Sequence, residues 1–169
     1  WPSYFSKEDR LKGIALQTAI WRRPAPDTIP TDAKAAGLYM ICTLSKHEAE
    51  KNGYSDALML DYKGRVSEST GSNIFFVING EIHTPIPDCF LNGITRQTVI
   101  NLAKSQNINV IEREIYPNEI KNADEIFLTG SAVEVTPVGK IDDQTFNVGD
   151  VTKTISELYM KTVDPNYVD

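Results

Sequence analysis

At 169 residues the chain is long enough to bury one hydrophobic core and too short for two full domains. Hydrophobic residues make up 41% and charged residues 24%, ordinary for a globular protein, and a net charge of -6 leaves no cationic excess to neutralise nucleic-acid phosphates. No apolar run nears the roughly 20 residues that span a bilayer, no leader peptide is visible, and Cys42 and Cys89 are too sparse for a disulfide framework or a metal site.

A reducing, cytoplasmic setting is therefore expected. The chain starts at Trp1 in a stretch that already looks mid-protein, which suggests a fragment or an excised domain.

In chain order, residues 13–21 (GIALQTAIW) read as a strand, followed by the proline-rich loop RRPAPDTIP, whose prolines remove backbone donors. A helical pattern follows, with Ala35, Leu38, Ile41, Cys42 and Ala49 on one face and Asn52-Gly53 as its stop. Residues 56–61 (DALMLD) form a strand and 62–65 a turn. The sharpest local signal is NIFFVI at 73–78, then Asn79-Gly80, then a return strand at 81–84: a hairpin. Beyond the loop at 85–92, Gly93 introduces an amphipathic helix carrying Val99, Leu102 and Ala103 on its apolar side.

Residues 109–115 alternate as a strand, and 117–122 form a short helix with Pro117 at its start. A strand at 125–129 ends in Gly130-Ser131, extended chain resumes at 133–138, and a last helix covers about 151–161. This predicts one mixed α/β domain, richer in strands than helices, with hairpins and helical crossovers.

Four features offer chemistry, and each has a plainer reading beside it. Gly93-Ile94-Thr95-Arg96 opens a helix, where free N–H groups and a hydroxyl suit an anion such as phosphate, although Thr95 or Asn92 as a simple cap is the commoner case. Thr129-Gly130-Ser131-Ala132 ends an apolar strand, and its glycine permits close approach of a ligand, as would any strand-ending turn. Glu68, just ahead of an aromatic-rich strand, needs a cationic partner if it points inward, and none if it is an exposed turn residue. Lys34 is placed at a helix start among Ala33, Ala35, Ala36 and Gly37; there the dipole disfavours its charge and would lower its pKa, whereas most lysines are simply solvated. Taken together they supply an amine, a carboxylate, a phosphate cradle and further donors, the groups a pyridoxal-phosphate site requires.

Four segments, RRPAPDTIPTDAKAAGLY, DALMLDYKGRVSESTGSNIFFV, LNGITRQTVINLAK and ADEIFLTGSAVEVTPV, carry a resemblance from about Trp21 to Lys161. In order and spacing they are similar to the fold-type IV (class IV) pyridoxal-phosphate aminotransferases, most of all the branched-chain amino acid aminotransferases. The resemblance implies the strand-rich, barrel-like large domain of the D-amino acid and branched-chain aminotransferase fold, here as a single C-terminal cofactor-binding domain. It implies that Lys34 forms the Schiff base with pyridoxal 5'-phosphate and moves the substrate α-proton, and that Tyr39 bonds the ring hydroxyl. On the same basis Glu68 pairs with the pyridine nitrogen, and Gly93, Ile94, Thr95 and Ser131 hold the phosphate. Ser131 and Ala132 lie where backbone amides help receive the substrate carboxylate.

Two positions depart from the pattern: Ser69 stands where the family usually has glycine, and Ser131 replaces a frequent threonine while keeping the hydroxyl. The family's smaller N-terminal domain, which supplies a phosphate-binding arginine and much of the substrate pocket, is absent from this sequence. The implied activity is ping-pong transamination between branched-chain L-amino acids and 2-oxoglutarate in a homodimer or larger homo-oligomer, with the isolated domain binding cofactor weakly and turning over little. A D-amino acid aminotransferase, an (R)-amine transaminase and an aminodeoxychorismate lyase share such a site. A non-catalytic anion-binding relative is the alternative from another class.

Overall fold

The computed structural model describes residues 4–164, 166 and 167. Helix α1 (Lys7–Lys12) opens the described chain, capped by Ser6, whose hydroxyl accepts from Asp9 N while the Asp9 carboxylate accepts from Ser6 N. Sequence reading assigned no helix here. Strand β1 (Ile14–Arg23) follows, and after a long loop a 3₁₀ turn (Ala36–Leu38) leads into α2 (Met40–Lys51).

Next come β2 (Asp56–Asp61), β3 (Val66–Ser69), β4 (Asn73–Ile78) and β5 (Glu81–Pro85), then α3 (Ile94–Ser105) and β6 (Val110–Arg113). A 3₁₀ turn (Pro117–Asn122) precedes β7 (Glu125–Gly130), β8 (Glu134–Ile141), the short β9 (Gln144–Thr145) and α4 (Asp150–Val163).

The strands run β3-β2-β1-β8-β7-β4-β5-β6, and a further pairing of β3 with β4 (Glu68 opposite Asn73) joins six of them into a closed barrel. Strands β5 and β6 extend from β4, and β9 pairs with β8. β1 is parallel to β2 across the α2 crossover, and β5 to β6 across α3, as parallel pairs need long connections. The β4–β5 hairpin turns on Asn79 and Gly80, both with positive φ (52° and 79°), the conformation an Asn-Gly pair adopts at low cost.

Strand alternation divides the core. Leu58 and Leu60 of β2, Ile74 and Phe76 of β4, and Ile126 and Leu128 of β7 share one cluster with Ile14, Leu16, Val66 and Val138, filling the barrel. Their sequence neighbours face outward: Phe75, Val77 and Phe127 pack with Val99, Ile100 and Ala103 of α3 and Ile155 and Tyr159 of α4. The Phe75 and Phe127 rings stack at 4.9 Å between centroids. Ala57 and Met59 meet Cys42 and Ala49 of α2 on another side.

The mixed, strand-rich barrel expected from the sequence is what forms. One placement is corrected: Lys34 does not begin a helix. Ala35 is extended, the 3₁₀ turn spans Ala36–Leu38, and α2 starts only at Met40, because the backbone here closes short bonds, Ala35 N to the Ala33 carbonyl, Leu38 N to the Ala35 carbonyl and Tyr39 N to the Ala36 carbonyl. The dipole argument for Lys34 therefore lapses. Ser69 is also easily accommodated, since it is an ordinary strand residue absent from the positive-φ positions.

Candidate active site

At one end of the barrel the strand termini, the α3 N-terminus and the loop after β1 enclose a cleft of about 240 Å³. Lys34, Tyr39, Glu68, Gly93, Ile94, Thr95 and Ser131 all line it, brought together from four separate stretches of chain. Gly71, Ser72, Asn73, Leu91, Asn92, Thr129 and Gly130 complete the wall. Ala132 is the exception: it is exposed in the turn after β7 and lies outside the lining, because the chain bends away at Ser131.

Glu68 is not a turn residue but the third position of β3, and only 8% exposed. Its Oε1 lies 3.3 Å from Arg23 Nε. Burial pushes the Glu68 carboxyl up to about 8; Arg23 offsets part of this, and the neighbouring Asp56 carboxylate adds to it. Tyr39 is half-buried, and its phenol is raised by burial and by the nearby Glu68. Asp56 is raised as well, chiefly by burial.

In the ligand-free protein this burial gives stability a pH dependence of known sign. A group whose folded pKa exceeds its ordinary 4.5 stabilises the fold below 4.5, and that stability is lost as pH climbs through about 8. We expect wild-type stability to fall across that window relative to Glu68→Gln, by a few kcal/mol in order of magnitude. Urea unfolding at several pH values measures it, and parallel curves for the two proteins would refute it.

The anion-binding end is built from α3. Gly93 holds the N-cap position with no side-chain cap, so the first helical N–H groups have no partner within the helix. That removes the plain reading in which Thr95 or Asn92 caps it. Thr95 is buried at the second helical position, while the Ile94 side chain is 83% exposed. Thr129 Oγ1, on the same wall, is buried with no hydrogen-bond partner among the described residues. The unpartnered N–H groups of α3 and this hydroxyl can donate to a group held in the cleft, as an anion requires.

Two residues to which the sequence reading gave no role of their own, Asn73 and Arg96, hold this geometry. Asn73 Oδ1 accepts from Gly93 N at 3.2 Å and its Nδ2 donates to the Leu91 carbonyl at 2.9 Å, so β4 fixes the approach to α3. A Cβ on Gly93 would come within 2.5 Å of Asn73 Oδ1, which is why glycine sits there. Arg96, fully buried, donates to Asn92 Oδ1 and to the Pro85 carbonyl, tying down the same loop. Asn73→Ala leaves Gly93 N–H and the Leu91 carbonyl unpaired and is expected to cost about 2–3 kcal/mol. Chemical denaturation checks this, and a loss below about 0.5 kcal/mol would count against the clamp.

Away from the cleft, Asp61, Asp88 and Cys89 lie within metal-ligand distance of one another, yet the Arg65 guanidinium occupies that space, bonded to Asp61 and Asp88. Among the described residues no helix is long and apolar enough to cross a membrane.

Comparison with known proteins agrees with this architecture. The chain is 46% identical over 131 residues to a probable branched-chain-amino-acid aminotransferase of Rickettsia felis, covering 78% of this chain and 45% of the relative. It is 39% identical over 163 residues to the branched-chain-amino-acid aminotransferase of Escherichia coli strain K12, covering 94% and 53%. Among solved structures, the Escherichia coli branched-chain amino acid aminotransferase superposes with a TM-score of 0.93 at 37% identity, covering all of this chain and 57% of that one. An aminotransferase from Brucella abortus bound to the cofactor PLP gives 0.87 at 37% identity, covering 96% and 56%. The chain thus spans about half the length of the curated relatives it matches. With the amino-transferase class IV model matching residues 2–141, the chain belongs to the class IV aminotransferases.

Proposed function

We propose that this chain is the cofactor-binding domain of a pyridoxal 5'-phosphate-dependent enzyme that transaminates branched-chain L-amino acids with 2-oxoglutarate. The observation that carries the reading is the convergence, in one cleft, of a lysine amine, a buried carboxylate and an uncapped helix N-terminus. When bound, the cofactor supplies an electron sink that stabilises negative charge at the substrate α-carbon.

This chain's residues do the rest. Lys34 Nζ attaches the cofactor, then takes and returns the substrate α-proton. Glu68 would pair with the cofactor's pyridine nitrogen and keep it protonated, and Tyr39 would hold the ring hydroxyl. Ile94 and Thr95, with Ser131, receive the phosphate at the α3 N-terminus, where N–H groups and dipole both favour negative charge. Ser131 and Ala132 offer backbone donors to the substrate carboxylate; Ala132 takes part only if the turn after β7 shifts toward the cleft.

The relatives' additional length fits a preceding domain that completes the substrate pocket. A homodimer or larger assembly in the cytoplasm is part of the same reading, and Cys42 and Cys89, both free and buried, suit a reducing compartment. The test is amino transfer to 2-oxoglutarate by the full-length protein, with L-leucine and D-alanine as competing donors, beside the same assay on this chain alone. L-leucine is expected to dominate, with little turnover by the isolated chain. Preference for D-alanine, or equal rates from chain and full protein, would overturn the assignment.

A further inference from the structure

Arg23 is the last residue of β1 and only 3% exposed. It follows three exposed residues, Ile20, Trp21 and Arg22, and a break in the β1–β2 register between Thr18 and Arg22 turns the strand's end inward. It does not line the cleft but stands behind it. There its guanidinium contacts one lining residue and three groups behind it: Nε lies 3.3 Å from Glu68 Oε1 and 3.3 Å from the Cys89 carbonyl, and Nη1 lies 3.3 Å from the Leu38 carbonyl and from Cys42 Sγ. Leu38 immediately precedes Tyr39, and Cys89 sits in the loop that leads to α3. The planar fork of an arginine suits such divergent acceptors, whereas a lysine offers a single point of charge.

We propose that Arg23 is a positioning residue for the cofactor's pyridine ring: it holds the Glu68 carboxyl in place, favours its ionised form and, through Leu38, sets Tyr39 beside it. The idea rests on the reading of Glu68 as the partner of the ring nitrogen. A carboxylate this deeply buried stays charged only beside a cation, and Arg23 is the cation in contact with it. Asp56, Tyr39 and Cys42 are its other titratable neighbours, and none supplies positive charge. Arg23 offsets part of the burial that favours the neutral carboxyl, and a protonated ring bound beside Glu68 would complete its ionisation.

The experiment is a double-variant cycle in the full-length protein: wild type, Arg23→Met, Glu68→Gln and the pair. Affinity for pyridoxal phosphate is read by fluorescence quenching, and the bound cofactor by its absorption spectrum. Each single substitution is expected to weaken binding about tenfold and to move the absorption band. The pair is expected to be no weaker than the worse single variant, because Arg23 acts through Glu68. Arg23→Met with wild-type affinity and spectrum, or two losses that multiply to about a hundredfold, overturns the proposal.

Should Arg23→Met fail to fold, the same cycle with Arg23→Lys decides. Its weakening is expected to vanish in the Glu68→Gln background; an unchanged weakening there, or none in either background, overturns the proposal. A wild type that binds no cofactor, or Glu68→Gln binding as well as wild type, strikes instead at the reading of the site.

Discussion

Lys34→Ala in the full-length protein is expected to lose covalent, borohydride-reducible attachment of pyridoxal phosphate and to cut amino transfer by roughly 10³-fold or more. Among the described residues lining the cleft, Lys34 is the one amine, so no neighbour can stand in for it. Lys34→Arg sharpens the point. It keeps a positive charge in the same loop, but a guanidinium stays protonated and is no nucleophile at neutral pH. If Lys34 acted only through charge, the arginine variant would stay active. If it acts as an amine, both variants are equally inactive while still binding the phosphate group. Mapping the reduced adduct in the wild type completes the test: label on a different lysine refutes the assignment.

Arg65→Met is expected to be the most damaging change to stability, at about 3–5 kcal/mol. Arg65 is buried and gathers three carboxylates: Asp61 through Nε, Asp88 through Nη2 at 2.8 Å and Glu114 through Nη1. Asp61 is 2% exposed, so removing its partner strands a buried charge that water cannot reach. Its bonds from Lys63 N and Arg65 N remain and soften the loss without replacing the cation. The same bridges connect the β2–β3 turn to Glu114 and to the loop ahead of α3, so cofactor affinity is expected to fall along with stability. Denaturant unfolding of wild type, Arg65→Met and the Asp61→Asn/Arg65→Met pair measures it. The pair should be less damaged than Arg65→Met alone, and a greater loss in the pair would contradict the buried-charge account.

Much of the fold was legible because alternation and turn chemistry are local. DALMLD, NIFFVI and the Asn79-Gly80 turn lie at their expected bounds, since each pattern is its own sufficient cause. Helix α1 was missed although Ser6 and Asp9 form a capping box, because six residues show too little periodicity to stand out. Strand β3 was missed because VSES has a single apolar side chain; of its buried polar residues Glu68 lines the cleft, while Ser67 contacts Cys89 and Ser69 donates to the Ser72 carbonyl. Lys34 was misplaced onto a helix because its alanine neighbours favour one, whereas the backbone there closes short bonds, Leu38 N to the Ala35 carbonyl and Tyr39 N to the Ala36 carbonyl.

The cleft residues were legible chiefly through family resemblance. Each one alone had an ordinary explanation, and only three-dimensional convergence removes those explanations for Glu68 and for the α3 N-terminus. Arg23 and Asn73 left no local trace, because what they do is make bonds to distant segments. A doubled arginine ending an otherwise apolar strand was the one available hint.

Barrel closure also sets an order of assembly. β1 pairs with β8, Ile14 opposite Val138 and Leu16 opposite Ile141, so the first strand finds one of its neighbours only near the end of the described chain. During synthesis β1 can pair with β2 early, yet its other edge stays open until β8 has been made. Loop-closure entropy makes that late pairing slow compared with the β4–β5 hairpin. The cleft draws on both ends of this order, with Glu68 on the early strand β3 and Ser131 immediately after β7, just ahead of β8. Competence to hold a ligand therefore arrives together with the last ring-closing strand, and an incomplete chain presents a sticky β1 edge instead of a half-formed site.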